Sequence, residues 1–170
     1  NAHILEQAKK LWGDLNHRVI DVRIGSLPKR KNPRLRARQY TQGWFFVTIC
    51  TRDRLHYLGS VVGGDAHIAP HTALSEYGKL SERYIRRIPG SDTYVIMPNH
   101  IHMIVSIGPY SISWKLVRSF KTLVCKAAGE KIWQRGYYDR IIRNEADYLR
   151  IWQYIDQNPA HWAEDEYYHE

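Results

Sequence analysis

Three features of the chain predict an α+β fold: a ferredoxin-like βαββαβ antiparallel sheet, with an added C-terminal tyrosine-bearing helix and a basic N-terminal extension. The first is two-residue alternation over 43–51, where Trp44, Phe46, Thr48 and Cys50 oppose Phe45, Val47 and Ile49. The second is a pair of adjoining apolar runs at 92–97 and 100–107, rich in Val, Ile and Tyr, with Pro98-Asn99 between them as a tight turn. The third is helical spacing before and after that pair, which orders the elements as a split βαβ unit. The same topology serves RNA-binding modules and small metabolic domains, so it does not decide function.

Taken in order, Leu5, Ala8, Leu11, Trp12 and Leu15 recur at helical spacing and predict a short amphipathic helix. Lys29, Arg30, Lys31, Arg34, Arg36 and Arg38 then crowd a stretch broken by Pro33. Such an arm suits phosphate contacts, whose strength falls steeply with salt, and also suits a solubilising linker. After the first strand a helix is expected at about 72–88, followed by the strand pair. A second helix from Ser111 to about Ala128 turns Leu116, Val117, Phe120, Leu123 and Val124 inward and leaves Lys115, Arg118 and Lys121 outside. A strand at about 131–139 follows. Asn144 then caps a last helix, with Asp147 three residues on, and Pro159 stops it after Gln157. A sheet covered on one face would leave the other free for DNA. The boundaries expected are 1–39 for the helix and basic arm, 40–160 for the main domain and 161–170 for an acidic tail, read here as solvated.

Composition narrows the partners. The chain has 170 residues, enough for one ordinary core, and a net charge of +8. From 111 to 143, eight Lys and Arg face two acids, with Trp114, Trp133, Tyr137 and Tyr138 among them. Aromatics beside cations suit stacking and backbone tracking of single strands, though such aromatics also build cores. Cys50 and Cys125 stand in apolar settings, which fits buried thiols in a reducing cytoplasm and excludes a disulfide scaffold. No apolar run approaches a membrane span, and no secretory signal is visible.

Two motifs carry chemistry. In a strand, His100 and His102 project to one face while Ile101 and Met103 point to the other. Two imidazoles on one rigid face make half of a divalent-cation site, which an oxygen donor would complete. A bare His-x-His also fits two half-exposed histidines that bind nothing. On the last helix, Asp147, Arg150, Tyr154 and Asn158 share one side, whereas Tyr148, Leu149, Trp152 and Ile155 lie toward the other. Tyr154 is thus not needed for the apolar face. Asn158 offers a neutral oxygen one turn away, with Gln157 as a rival ligand and helix termination as its plainer role. Two imidazoles and a carboxamide would suit Mg²⁺ or Mn²⁺, with positions left for water and a phosphate oxygen.

These motifs stand among others in a fixed order: Trp44-Phe45-Phe46-Val47-Thr48-Ile49-Cys50-Thr51, Met97-Pro98-Asn99-His100-Ile101-His102, Ser119-Phe120-Lys121, Ile132 to Arg140, Ile141 to Glu145, and Tyr154-Ile155-Asp156-Gln157-Asn158-Pro159. In this order the chain resembles the single-tyrosine HUH transposases, most closely their REP-associated tyrosine transposase branch, over roughly residues 40 to 160. The resemblance implies cleavage and strand transfer of single-stranded DNA at hairpin-forming repeats, through a tyrosine joined to a 5′ phosphate. It implies His100, His102 and Asn158 as ligands of Mg²⁺ or Mn²⁺, and Tyr154 as nucleophile. The insertion-sequence branch has Gln where this chain has Asn158; Asn-Pro belongs to the REP-associated branch. Lys29, Arg30, Lys31, Arg34, Arg36, Arg38, Lys115, Arg118, Lys121 and Arg143 are the expected DNA contacts. The expected setting is a prokaryotic, nucleoid-associated cytoplasmic protein, monomer or homodimer, with no membrane partner. Two alternatives stand beside it: a metal-dependent hydrolytic nuclease, in which Tyr154 is incidental, and a non-catalytic DNA-binding regulator descended from a transposase.

Overall fold

A computed structural model describes residues 43–64, 68–107 and 113–168. The expected N-terminal helix and the arm bearing Lys29, Arg30, Lys31, Arg34, Arg36 and Arg38 lie outside the described residues.

The alternating segment forms β1 (Gly43–Cys50), one of the two inner strands. On one side it pairs antiparallel with β5 (His100–Ile107), in a register that runs from Cys50 opposite His100 to Gly43 opposite Ile107. On its other side lies β6 (Tyr138–Ile142), and β4 (Ser91–Ile96) flanks β5. The order is β4-β5-β1-β6 and every pairing is antiparallel, as the split βαβ reading requires.

Because side chains alternate across a strand, this register sorts the sheet into two chemically different faces. Phe45, Val47, Ile49, Ile101, Met103, Val105 and Ile107 form one face. Against it pack α1 (Glu76–Ile85), through Ile85, and α2 (Ser113–Ala128), through Val117, Phe120 and Val124. The opposite face carries Trp44, Phe46, Thr48, His100, His102 and Ile104. There α3 (Glu145–Gln157) docks Tyr148, Ile151 and Ile155 on Trp44, Ile104 and Ile142 as a second, smaller core. The face expected to be free is therefore covered in part by the helix that bears Tyr154.

The helix expected at 72–88 divides. Residues 59–62 and 71–74 form a hairpin of two short strands, β2 (Gly59–Val62) and β3 (His71–Leu74). The helix begins only after Ser75, whose Oγ accepts from the Gly78 N–H at 3.1 Å. Gly78 has no substitute here: a Cβ would stand 2.1 Å from the Leu58 carbonyl oxygen, so its absence lets α1 lie directly on the chain at Leu58. The strand expected at 131–139 is displaced to 138–142. Ile132 and Trp133 are buried in the main core, but they pair with the chain beside the sheet through a single isolated bridge, Trp133 to Thr51. Gly136, at φ +83°, then breaks the extended run before Tyr138. The cap of the last helix is as read, with Asn144 Oδ1 accepting from Asp147 N–H at 2.8 Å. No helix among the described residues is long and apolar enough to cross a membrane.

Candidate metal and tyrosine site

His100 and His102 are almost wholly buried, at 0% and 1% exposure, which removes the half-exposed reading. Their rings sit edge to face with centroids 4.4 Å apart. Each Nδ1 is held from behind. His100 Nδ1 meets Asn99 Oδ1 at 2.9 Å, and His102 Nδ1 meets the Thr48 hydroxyl at 2.8 Å.

The orientation of Asn99 follows from what surrounds it. Its Nδ2 faces the backbone carbonyls of Arg54 and Tyr167, at 3.2 and 2.7 Å, and carbonyls only accept. Oδ1 must then face His100, which makes His100 Nδ1 the protonated nitrogen and leaves a lone pair on Nε2. That Nε2 is buried without a hydrogen-bond partner. A buried imidazole nitrogen with a lone pair and no donor to fill it is poised for a cation.

Tyr154 reaches this pair from α3. Its hydroxyl lies 3.2 Å from His102 Nε2, and its ring meets Phe46 edge-on at 6.2 Å while Phe46 stacks on His102 at 5.1 Å. At 42% exposure the phenol ring opens to solvent on one side. Asn158 lies beside His100 and is 2% exposed. Its Nδ2 donates to Asp165 at 2.9 Å, which turns Oδ1 inward, where no hydrogen bond satisfies it. Two of the four unsatisfied buried side-chain atoms among the described residues are thus His100 Nε2 and Asn158 Oδ1, both in this site. The donor set fits a divalent cation. Gln157, the rival ligand, is exposed at the end of α3.

The acidic segment read as a solvated tail instead closes the site. Past α3, a 3₁₀ turn at Asn158–Glu164 brings Asp165, Glu166 and Tyr167 back over the histidines. Tyr167 lies against the His100 ring at 4.7 Å, Arg54 covers its outer side at 4.6 Å, and Arg54 also donates to the Glu166 carbonyl at 3.0 Å. The segment had no periodicity to mark it, because it is held by its own backbone carbonyls and one aromatic ring.

Electrostatics follow from burial. Burial pushes both histidines below the ordinary imidazole value, and each therefore stays neutral. For His102 the neighbouring His100 adds to the effect; for His100 the Asp165 carboxylate opposes it. Burial, then the Asp165 and Glu166 charges, pushes the Tyr154 phenol up to about 12. Asp147 works the other way: burial would raise its carboxyl, but Arg150 and Arg140 outweigh that and hold it below the usual carboxylate range.

An open cavity of about 600 Å³ adjoins Tyr154, lined by Phe46, Thr48, His102, Tyr138, Arg140 and Arg150 among others. Arg140 and Arg150 converge on Asp147, at 2.7 and 2.5 Å, and are the cations nearest this opening. Arg150 was placed beside Tyr154 by helical spacing; Arg140 arrives because β6 pairs it with Phe46. Arg143 is exposed, one residue before the α3 cap. Lys115, Arg118 and Lys121 do not join the site, since α2 packs on the other face of the sheet. Arg118 and Lys121 line a larger basic groove of about 1040 Å³ there, with Lys126, Lys131 and Arg135. The Lys121 ammonium is committed to the carbonyls of Gln134 and Gly136.

No family model matches the chain. A Haemophilus influenzae protein whose function is uncharacterized is 29% identical over 173 residues, covering 82% of this chain and 93% of that one. Among solved structures, a REP-associated tyrosine transposase bound to a REP hairpin is similar at a TM-score of 0.54 and 19% identity, over 80% of this chain and 74% of that one. The two chains share a fold. At that identity the likeness establishes the mixed α+β architecture and the four-stranded sheet, while roles for individual residues rest on their geometry.

Proposed function

We propose that this protein cleaves and rejoins single-stranded DNA, with Tyr154 as nucleophile and a Mg²⁺ or Mn²⁺ ion held by His100, His102 and Asn158. The observation that carries the reading is the meeting of the Tyr154 hydroxyl with His102 Nε2 at 3.2 Å, beside the unpartnered His100 Nε2 and Asn158 Oδ1. When bound, the cation supplies Lewis acidity to a phosphate and offsets its developing charge. The chain's own residues do the rest. Thr48 and Asn99 fix the imidazoles, and Phe46 holds the Tyr154 ring against His102. Arg140 and Arg150 border the opening through which a strand would enter. Attack by the phenol oxygen on phosphorus forms the tyrosine–phosphate bond, breaks the bond to the 3′ oxygen, and leaves a 3′ hydroxyl. The reverse step with another 3′ hydroxyl rejoins the strand without an external energy source. The basic groove beside α2, with Lys115 on the same helix, and Arg143 are proposed as phosphate contacts, and hairpin-forming single strands as the substrate class.

One observation favours a hydrolytic reading. The hydroxyl of Tyr154 is held protonated by burial and two acidic neighbours, so it begins as a poor nucleophile. One experiment separates the two. Wild type and Tyr154→Phe are incubated with labelled hairpin-bearing single-stranded DNA, with Mn²⁺ or with EDTA, and run on denaturing gels. A metal-dependent protein–DNA band in wild type only is expected. Equal cleavage by both proteins without that band would replace strand transfer with hydrolysis. Intact binding without cleavage by either would leave a DNA-binding regulator.

A further inference from the structure

Asp165 falls outside every motif that the sequence displays, yet it stands at the centre of the site. Donor atoms of His100, His102 and Asp165 all lie within 4.8 Å of one another. Around one divalent ion, donors at about 2.1–2.3 Å stand about 3 Å apart when adjacent and about 4.2–4.6 Å when opposite, so 4.8 Å is an outer bound and the three side chains would draw together on binding. The carboxylate is aimed from two sides. Tyr167 N–H donates to Oδ1 at 2.7 Å, and Asn158 Nδ2 donates to Oδ2 at 2.9 Å. The Tyr154 hydroxyl stands 3.4 Å from the same Oδ2.

Charge supplies a second argument. His100, His102 and Asn158 are neutral donors, and hard divalent ions favour anionic oxygen. Within the described residues this cluster holds one carboxylate, and it is the one that also fixes Asn158 so that Oδ1 faces inward. The unpartnered His100 Nε2 and Asn158 Oδ1 mark the space between them as wanting a positive centre.

We infer that Asp165 is a fourth protein ligand of the cation, supplied by the segment that follows α3. The inference rests on the metal site proposed above. It makes Asp165 part of the centre and Tyr167 its support: Tyr167, tilted against the His100 ring and covered by Arg54, places the carboxylate. It also changes what Asp165 does to Tyr154. Alone, the carboxylate opposes ionisation of the phenol; bound to a cation, its charge is neutralised and that opposition is removed.

Equilibrium Mn²⁺ binding to the full chain, read from the electron paramagnetic resonance of free Mn²⁺, tests this without reference to activity. Wild type is compared with Asp165→Asn, which keeps an oxygen acceptor and loses the charge, with Glu166→Gln, and with His102→Ala. Support is one site in wild type, at least tenfold weaker binding in Asp165→Asn, binding within about twofold of wild type in Glu166→Gln, and none in His102→Ala. Wild-type affinity in Asp165→Asn overturns the inference and leaves the histidine centre standing. Equal weakening by Glu166→Gln overturns it too, since charge in the neighbourhood would then be enough. No saturable site in wild type brings down the centre and the inference together. If circular dichroism shows that Asp165→Asn does not fold, the carboxyl ¹³C shifts of wild type during Zn²⁺ titration decide. Movement of Asp165 well beyond that of Glu166 supports ligation, and an unmoved Asp165 refutes it.

Discussion

Replacing Asn99 by alanine should expose how far the site and the fold depend on the same side chain. Asn99 is wholly buried and makes three hydrogen bonds, to His100, to the Arg54 carbonyl and to the Tyr167 carbonyl. Arg54 and Tyr167 are each partly exposed, so water should replace the lost donor at their carbonyls and each loss should cost about 0.5–1 kcal/mol. His100 has no such recourse. Its Nδ1–H is left unpaired in the interior, at about 1–3 kcal/mol, or the proton moves to Nε2 and the lone pair is lost to a cation. The total is about 3 kcal/mol, or a fall in Tm of about 10 °C for a domain of this size. Mn²⁺ affinity should fall about 10- to 100-fold in the same variant. Asn99→Asp separates the two effects, because it keeps the acceptor for His100 and loses both donors; it should be destabilised while retaining cation binding. Urea unfolding followed by tryptophan fluorescence, paired with Mn²⁺ titration, measures both quantities. An Asn99→Ala protein within about 0.5 kcal/mol of wild type, with unchanged Mn²⁺ affinity, would refute this account of the hairpin turn.

Other outcomes follow from the same geometry. In EDTA, stability should decline as the pH falls below 6.5, because the folded chain keeps His100 and His102 neutral while the unfolded chain protonates them; His102→Gln should flatten the decline in acid titrations of the unfolding midpoint. At the alkaline end, Tyr154 contributes stability that is complete below pH 10 and lost between 10 and about 12, so Tyr154→Phe should unfold less steeply over that window, as followed by circular dichroism. Gly78→Ala should destabilise by about 1–2 kcal/mol in urea, since the clash with the Leu58 carbonyl costs about 2–3 kcal/mol against about 1 kcal/mol of helix propensity gained.

Elements longer than about six residues with a clean period were legible in the sequence. The alternation in β1 and β5 placed His100 and His102 on one face and Ile101 and Met103 on the other, and the cap at Asn144 set the start of α3. The short elements were not. Four residues at 59–62 and four at 71–74 carry too few alternations to declare a hairpin, and Ser75 looks like helix interior until its Oγ is seen on Gly78. Ile132 and Trp133 are apolar and buried, yet they pack in the core between the sheet and α2 while pairing through one bridge alone, which hydrophobicity cannot distinguish from a strand. At the site, helical spacing brought Tyr154 and Asn158 together, and strand parity paired the histidines. Asn99, Thr48 and Asp165 were beyond reach because each acts through a contact across the sheet or across a turn, where local periodicity has nothing to say.

The two cores on either side of the sheet imply two opening free energies within one site. The histidines belong to β5, an inner strand whose pairing on both sides and large core tie it to unfolding of the whole domain. Tyr154 belongs to α3, held by a smaller patch around Trp44, Ile104 and Ile142. Partial openings start where fewest apolar contacts must be broken, so amides of α3 should exchange with deuterium well before those of β5. The histidine half of the site is thereby anchored to the frame, while the tyrosine half rides on a layer that can lift away. On the strand-transfer chemistry proposed above, a DNA end esterified to Tyr154 would travel with that layer, and the sheet would keep its shape beneath it.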